Sequence, residues 1–259
     1  MLGEVPVSLP QRNVPGEDRL TWLCDQLRAQ GAVTITGAAA ELNVSEMTIR
    51  RDLVQLEERG VARRVRGGAR SVGPRSFAQR RDRMAGAKAR IAAKLAGLVP
   101  DGGAVAFDAS STVMRLASTL TSADDLLVVT NGPDTFGVLR DRPGISVLLT
   151  GGRLDPRTGS LVGPLASRVA ADITVRRLFA SAAALDERAG PLEETPEEAD
   201  VKRALAVGAE QVVLAVDSSK LGTRAVARWL DWDRVDWLVT ELDPQDDRLA
   251  PYRRVTRIR

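Results

Sequence analysis

Between Ser45 and Arg66 the chain sets out hydroxyls and guanidiniums first at helical and then at strand-like spacing: Ser45, Thr48, Arg50 and Arg51, then Arg63, Arg64 and Arg66. An arginine fork can bond a guanine edge twice in a major groove, and hydroxyls or the free amides of a helix start can hold phosphate oxygens. A second set lies further on, in "DASST" (108–112), "TNG" (130–132), "TGGR" (150–153) and "DSSK" (217–220). Ser110, Ser111 and Thr112 at a helix start suit a phosphate, Lys220 adds a point charge, and Asp108 or Asp217 can accept bonds from sugar hydroxyls. Each of these short motifs is weak alone, because Ser-Ser-Thr at a helix start is more often only a cap.

Composition removes several other chemistries. With 44% hydrophobic and 27% charged residues in 259, the chain can bury a sizeable core, and its length suits either one large domain or a small one joined to a medium one. It has no histidine and a single cysteine, Cys24. That excludes Ser-His-Asp and Cys-His catalysis, an intrachain disulfide and the usual zinc sites, and Cys24 reads as a small buried hydrophobe. No metal or cofactor is called for. No run approaches the roughly 18 apolar residues of a membrane span, and the first residues lack a basic region followed by an apolar one, so a cytoplasmic protein with no membrane partner is expected. The formal charge is +3, but Arg59 to Arg83 holds nine arginines and one acid, Asp82, a local +8 that leaves −5 for the rest. A basic segment on a mildly acidic body fits a localised polyanion contact, and composition alone also allows a solvated linker.

The elements that must position the first set are short. Leu20, Leu23, Cys24 and Leu27 recur at helical spacing up to Gly31, "TGAAAELN" fits a second helix capped by Thr36, and after a turn at Asn43-Val44 a third runs from about Glu46 to Glu58 with Ser45 as its cap. At 100° per residue Ile49, Leu53 and Leu56 fall within about 40° of one direction, the core side, so Met47 and Arg51 face away with Thr48 and Arg50 on the flanks. An ordinary surface helix would show the same amphipathicity. The context favours DNA: two helices joined by a short turn, then "GVARRVRGGAR", suggest a helix-turn-helix followed by a β-ribbon, with Gly67-Gly68 as its tight turn and its arginines along the phosphates. This gives a domain over 16–70, followed by a linker over 71–83 without helical or strand periodicity.

From 84 to 250, apolar runs at 104–107, 126–130, 145–150, 178–184, 212–216 and 236–240 alternate with helical stretches at 84–98, 111–120, 133–141 and 197–209. That alternation predicts a mostly parallel sheet with helices on both faces, and such sheets bind ligands beyond the carboxyl ends of their strands, where the second polar set falls. Trp229, Trp232 and Trp237 are expected in packing or a subunit interface rather than a binding surface. The acidic run 192–200 reads as an exposed loop entering a helix, with Glu197 or Glu198 able to face the pocket. "PYRRVTRIR" fits a frayed tail or a last edge strand.

The stretch "GAAAELNVSEMTIRRDLVQLEERGVARRVRGGA" closely resembles the winged helix-turn-helix of the DeoR family of bacterial transcriptional regulators, through Val44, Ser45, Thr48, Ile49, Arg50, Arg51, Asp52 and Leu53 and the Gly-Gly-Ala wing. Arg66 stands where that family commonly has histidine. "FDASSTVMRLA", "VVTNG", "LLTGGRLDPRTGSLVGPLA", "EEADVKRAL" and "AVDSSKLG" resemble, in order and spacing, the family's effector domain, related in fold to ribose-5-phosphate isomerase and glucosamine-6-phosphate deaminase. Together the resemblance covers roughly residues 18 to 243. It implies a sequence-specific regulator, a repressor of carbohydrate-metabolism genes, whose affinity for double-stranded DNA changes with a phosphorylated sugar or related metabolite. It also implies DNA contacts from Ser45, Met47, Thr48, Arg50, Arg51, Arg63, Arg64 and Arg66. For the effector it implies Asp108, Ser110, Ser111, Thr112, Thr130, Asn131, Gly151, Gly152, Lys202, Asp217 and Lys220.

Two departures bear on the effector. Ser110 replaces a glycine of the family pattern, and "SAAA" at 181–184 puts Ala183 where an acid is usual. An alanine neither accepts a hydroxyl bond nor moves a proton, which fits an altered ligand or a lost response. A homo-oligomer, dimer or tetramer, is expected because one recognition helix contacts too few base pairs for genomic specificity. The rival readings are a sugar-phosphate isomerase-like enzyme with a DNA-binding appendage, and a DNA-binding protein indifferent to any effector.

Overall fold

A computed structural model describes residues 15–72 and 77–259, which divide into two compact units, one through Gln79 and one from Arg80. The reading of the first fourteen residues lies outside the described ones. No described helix is long and apolar enough to cross a membrane.

The first unit contains α1 (Gly16–Gln30), β1 (Ala32–Thr34), α2 (Ile35–Glu41), α3 (Glu46–Glu58), β2 (Ala62–Val65), β3 (Gly68–Ser71) and the start of α4 (Phe77–Asp82). Leu23 and Leu27 of α1 meet Ile49, Leu53 and Leu56 of α3 in a fully buried core, as the angular reading requires. Cys24 is half-buried against that core. Gly31 takes a left-handed φ of 77° and returns its N–H to Leu27 O, which ends α1.

Three local expectations are corrected. α2 is capped by Thr34, whose hydroxyl accepts from Gly37 N–H; Thr36 lies inside the first turn and donates to Glu46 instead. A strand not foreseen, β1, pairs with β3, making the sheet three-stranded in the order β1-β3-β2. The ribbon turn is Arg66-Gly67, not Gly67-Gly68, because Val65 pairs with Gly68. Gly67 supplies the positive φ of 83°, whereas Gly68 is required by β1: a Cβ there would stand 2.0 Å from Val33 O. Within the linker expected over 71–83, Ser71 closes β3 and residues 77–82 form α4, while 73–76, with Arg75, lie outside the described residues.

The second unit begins with α5 (Ala85–Ala96), β4 (Gly103–Phe107), α6 (Ser111–Ala117), β5 (Leu126–Thr130), α7 (Pro133–Leu139) and β6 (Ile145–Leu149). It continues through the hairpin β7 (Arg153–Leu154) and β8 (Leu161–Val162), then α8 (Pro164–Ala171), β9 (Val175–Ala180), β10 (Ala184–Asp186), β11 (Gly190–Glu193), α9 (Pro196–Val207) and β12 (Ala209–Ala215). It ends with β13 (Ala227–Arg228), β14 (Trp237–Val239) and β15 (Arg257–Ile258). Seven strands form one parallel sheet in the order β15-β14-β12-β9-β4-β5-β6, so the chain's last residues are an edge strand.

Strand alternation divides the core. Val105 and Phe107 of β4, Phe179 of β9 and Val213 of β12 face α5, α6 and α7 on one side. Ala106, Leu178, Ala180, Val212 and Leu214 face α8 and α9 on the other. Phe107 and Phe179 meet edge to face at 5.3 Å, and Trp229 and Trp232 are buried in the second layer rather than displayed. The run 178–184 breaks in two: β9 ends at Ala180, and β10 pairs antiparallel with β11 in a small separate sheet completed by β13. Ser181 leaves the ladder because its N–H is taken by Asp108. The helix α8, rich in alanine, was not foreseen.

Candidate nucleic-acid interface and sensor site

In the first unit the recognition candidates stand on the solvent side of α3. Ser45 accepts from Thr48 N–H at 3.1 Å and shares a 2.9 Å bond with the Thr48 hydroxyl, so this pair fixes the helix start. Met47 is 58% exposed, and Arg50 is exposed with a loose 3.4 Å contact to Glu46. Arg51 is exposed and, among the described residues, makes no ion pair. Met47, Arg50 and Arg51 line a groove of about 490 Å³ whose other wall carries Arg64 and Arg66. Arg63 and Arg66 are exposed, while Arg64 is tied to α3 through Glu57 at 2.6 Å. The Arg64 backbone N–H and guanidinium hold the Glu57 carboxyl below its ordinary value.

The residue that sequence reasoning missed here is Arg19. Its guanidinium makes two bonds to the buried Asp52 carboxylate, at 2.8 and 3.0 Å, locking α1 to α3. The signal was available: Asp52 falls about 60° from Ile49 on the helical wheel, on the core side, so an acid there needs a cation.

In the second unit β4 is flanked by β5 and β9, so the carboxyl ends of β4 and β9 diverge where the sheet order reverses. Asp108 spans that gap. It is fully buried, accepts from Ser110 N–H at 3.0 Å and Ser181 N–H at 2.8 Å, and pairs with Lys202 of α9 at 2.9 Å. Lys202 also donates to Glu193 at 2.5 Å and to Ser181 O at 2.7 Å, and lies 5.7 Å from the centre of the Trp229 ring. Burial alone would lower the Lys202 pKa, but Asp108, Glu193 and Glu198 outweigh it and hold it above the ordinary lysine value. Burial raises Glu193 against the opposing pull of Lys202.

The acidic run 192–200 is therefore not a uniformly exposed loop. Glu193 is buried in β11 and Glu198 is buried in α9, accepting from the Ser160 hydroxyl at 3.1 Å, whereas Glu197 is exposed. Glu193 faces Ala183 across the hairpin, since Ala184 pairs with Leu192 and Ala183 N–H donates to Leu192 O. The carboxylate absent at 183 is thus present on the facing strand.

The other predicted residues divide in two. Ser110 caps α6 through Val113 N–H, Thr130 accepts from Gly132 N–H, and Asp217 accepts from the Ser219 N–H and hydroxyl, so each serves its own turn. Thr112 is buried beside them in the first turn of α6. Asn131 donates to Leu161 O at 3.1 Å, yet its Oδ1 is buried without a partner. Gly151 and Gly152 take φ of 69° and 109°, and a Cβ on Gly152 would meet Val162 O at 2.8 Å and Ala166 Cβ at 2.9 Å, so close packing explains that glycine. Among the described residues neither glycine bonds to Asp108 or Lys202. Ser111 accepts from Lys88 of α5 at 3.0 Å, and Lys88 interacts electrostatically with Asp217 and Lys220, a connection the sequence did not suggest.

Comparison with known proteins supplies the context for both sites. Residues 19–75 match the family model described as a DeoR-like helix-turn-helix domain, and residues 83–242 match the DeoR C terminal sensor domain. The HTH-type transcriptional repressor GlcR of Bacillus subtilis is 32% identical over 234 residues, 88% of this chain and 89% of that one. The HTH-type transcriptional regulator GlpR of Haloferax volcanii is 34% identical over 212 residues, 80% of this chain and 83% of that one. Among solved structures, ribose 5 phosphate isomerase A from Neisseria gonorrhoeae aligns at a TM-score of 0.36 and 16% identity over 51% of this chain and 52% of that one, too slight a likeness to argue from. A capped helix with outward arginines, a wing beside it, and family matches spanning both units lead to one statement: the chain belongs to the DeoR family of transcriptional regulators.

Proposed function

We propose that this regulator is a cytoplasmic repressor of carbohydrate-metabolism genes that reads an operator with α3 and releases it when a phosphorylated sugar or related metabolite binds the sensor unit. Met47, Thr48, Arg50 and Arg51 read base edges, Ser45 approaches phosphate, and Arg63, Arg64 and Arg66 grip the backbone. The observation that carries this reading is the placement of Arg51 and Met47, exposed and facing one groove with the wing arginines, on a helix whose opposite side is fully buried. Paired half-sites, and hence a homo-oligomer, supply the specificity that a single helix lacks.

In the sensor unit the phosphate belongs with Ser110, Ser111, Thr112 and Lys220, and the unpartnered Asn131 Oδ1 suits a sugar hydroxyl. Thr130, Gly151, Gly152 and Asp217 shape the loops around it. Asp108 and Lys202 organise the site from beneath. Three donors already occupy the Asp108 carboxylate, which supports binding rather than acid-base turnover. Glu193 answers the departure at Ala183, and this supports a pocket that has moved its acid rather than lost it.

The test is a fluorescence-anisotropy titration on DNA from the protein's own promoter region at two salt concentrations, with wild type and Arg51→Ala, and with a panel of sugar phosphates. Selective, salt-sensitive binding that the substitution weakens and one metabolite reverses is the expected result. Binding without sequence preference overturns the reading, and measurable isomerase turnover on pentose phosphates would replace it.

A further inference from the structure

Two hydrophobic side chains stand in the most basic part of the first unit. Among its described residues the exposed large hydrophobes are Met47, Val65 and Val72, and two of the three, Met47 at 58% and Val65 at 44% exposed, line the groove between α3 and the wing. The same groove carries Arg50, Arg51, Arg64 and Arg66 and, among the described residues, no acid. A lone exposed methionine is ordinary, but an apolar pair sharing one basic groove marks a contact surface.

The α3 wall of the groove is a single stripe. Met47, Arg50, Arg51 and Val54 fall at i, i+3, i+4 and i+7, so they share one side of the helix, turned away from the buried Ile49 and Leu56. Met47 is the second residue of α3, at the end that a helix-turn-helix lays against base edges. Attraction to a polyanion accounts for the four arginines and leaves the apolar pair unexplained. The edges of base pairs in the major groove present donors and acceptors and one apolar group, the C5-methyl of thymine. 5-Methylcytosine carries the same methyl at the same ring position.

We propose that Met47 is a specificity residue that reads a pyrimidine 5-methyl group in each operator half-site, within about two base pairs of a guanine taken by Arg50 or Arg51. The proposal rests on the reading of α3 as the recognition helix. A flexible, polarisable thioether packs on a methyl without demanding a hydrogen-bond partner from the base edge. The four residues from Met47 to Arg51 advance ~6 Å along the helix, about two base-pair steps, which sets the spacing between the two contacts. Val65 stands on the opposite wall, beside the arginines assigned to the backbone, where its apolar surface helps exclude water without choosing a base.

The test is fluorescence anisotropy of the full chain on a fragment of its own promoter region that it binds with sequence preference. The fragment is synthesised with each thymine in turn replaced by uracil and, separately, each cytosine by 5-methylcytosine. Uracil keeps the pairing and every hydrogen-bonding group of thymine and lacks only the methyl. One thymine in each half-site is expected to lose about fourfold in affinity on that change, the worth of one buried methyl group, and Met47→Ala to bind the thymine and uracil forms alike. Met47→Leu, which keeps the apolar surface, retains the discrimination, and Val65→Ala weakens both forms equally. Discrimination that survives Met47→Ala, or that disappears with Val65→Ala instead, overturns the proposal. A gain in affinity on methylating one cytosine, absent in Met47→Ala and with every thymine silent, supports the proposal and assigns the contact to 5-methylcytosine. Selective binding indifferent to every methyl overturns it while the recognition reading stands, and leaves the apolar pair to another occupant, such as a second copy of the chain. If no fragment is bound with sequence preference, the recognition reading fails and this proposal fails with it.

Discussion

Arg51 and Lys202 are both cations on helices of similar length, α3 and α9, and they live under opposite physical rules. Arg51 is exposed and, among the described residues, without an ion pair, so its charge is free to displace counterions from a polyanion. Lys202 is buried and committed to Asp108, Glu193 and Ser181 O, so its charge is consumed within the fold. The comparison teaches that an exposed candidate such as Arg51 can be removed without loss of structure, whereas in the second unit the residues resembling a binding site also hold the sheet ends together.

The largest effect that would break this contrast is at Lys202. Lys202→Met leaves the Asp108 and Glu193 carboxylates buried without their cation, and removing one partner of such a network costs about 3–5 kcal/mol. Calorimetry with hydrogen exchange should localise that loss to the second unit. A variant as stable as wild type would show that Lys202 is a displaced ligand contact rather than a structural one, and would collapse the distinction.

Lys88 sharpens the contrast because it is a buried cation without a contacting anion. Burial brings its pKa down to about 8, Asp217 works against that fall, and Lys220, Arg80 and Arg83 deepen it. The folded state therefore holds this proton less tightly than the unfolded chain, whose lysines titrate near 10.4. The destabilisation is full below pH 8 and is relieved as pH rises from about 8 towards 10.4, so stability attributable to Lys88 increases with pH in that window. Wild type should gain roughly 1–3 kcal/mol relative to Lys88→Met between pH 7.5 and pH 10 in urea melts. A difference that shrinks with pH would mean that Lys88 has a counter-ion in solution.

On the exposed side, Arg51→Ala should cost about 1–3 kcal/mol of operator affinity and blur preference at one base position, with the melting temperature unchanged. Loss of stability instead would place Arg51 in the same class as Lys202. The contrast between the units also explains what was legible. The three helices, the buried face of α3, the outward direction of Arg51 and the parallel sheet all follow from periodicity, which reports burial. The Arg66-Gly67 turn was missed because it is set by β1 packing against Gly68, a contact 35 residues away in sequence from Val33. The Lys202 network and the Lys88 hydrogen bonds were missed for the same reason. Periodicity marks which side of an element is covered, but not which polar group from another element covers it. Asp52 is the exception, since an acid on the core side of a helix announces a buried partner even when the partner is unnamed.

The smallest effect belongs to the wing. Arg66 occupies the first turn position of the ribbon, exposed, where the family commonly has histidine, and Gly67 beside it makes the tip free of side-chain bulk. If it acts only on phosphate, Arg66→Ala should weaken binding to all sequences alike and reduce the slope of log affinity against log salt by about 1, with less than about 1 kcal/mol lost at physiological salt. Arg66→His would restore a donor but not a permanent charge, so its salt slope should approach that of wild type only as pH falls below about 6.5. Arg64 provides the internal control, because its bond to Glu57 already occupies the guanidinium Nε. Arg64→Ala is expected to alter the salt slope less than Arg66→Ala while loosening the wing from α3. The reverse order would mean that Glu57 yields Arg64 to the DNA, and that a surface ion pair, not an unpaired arginine, is the reservoir of charge on this side of the molecule.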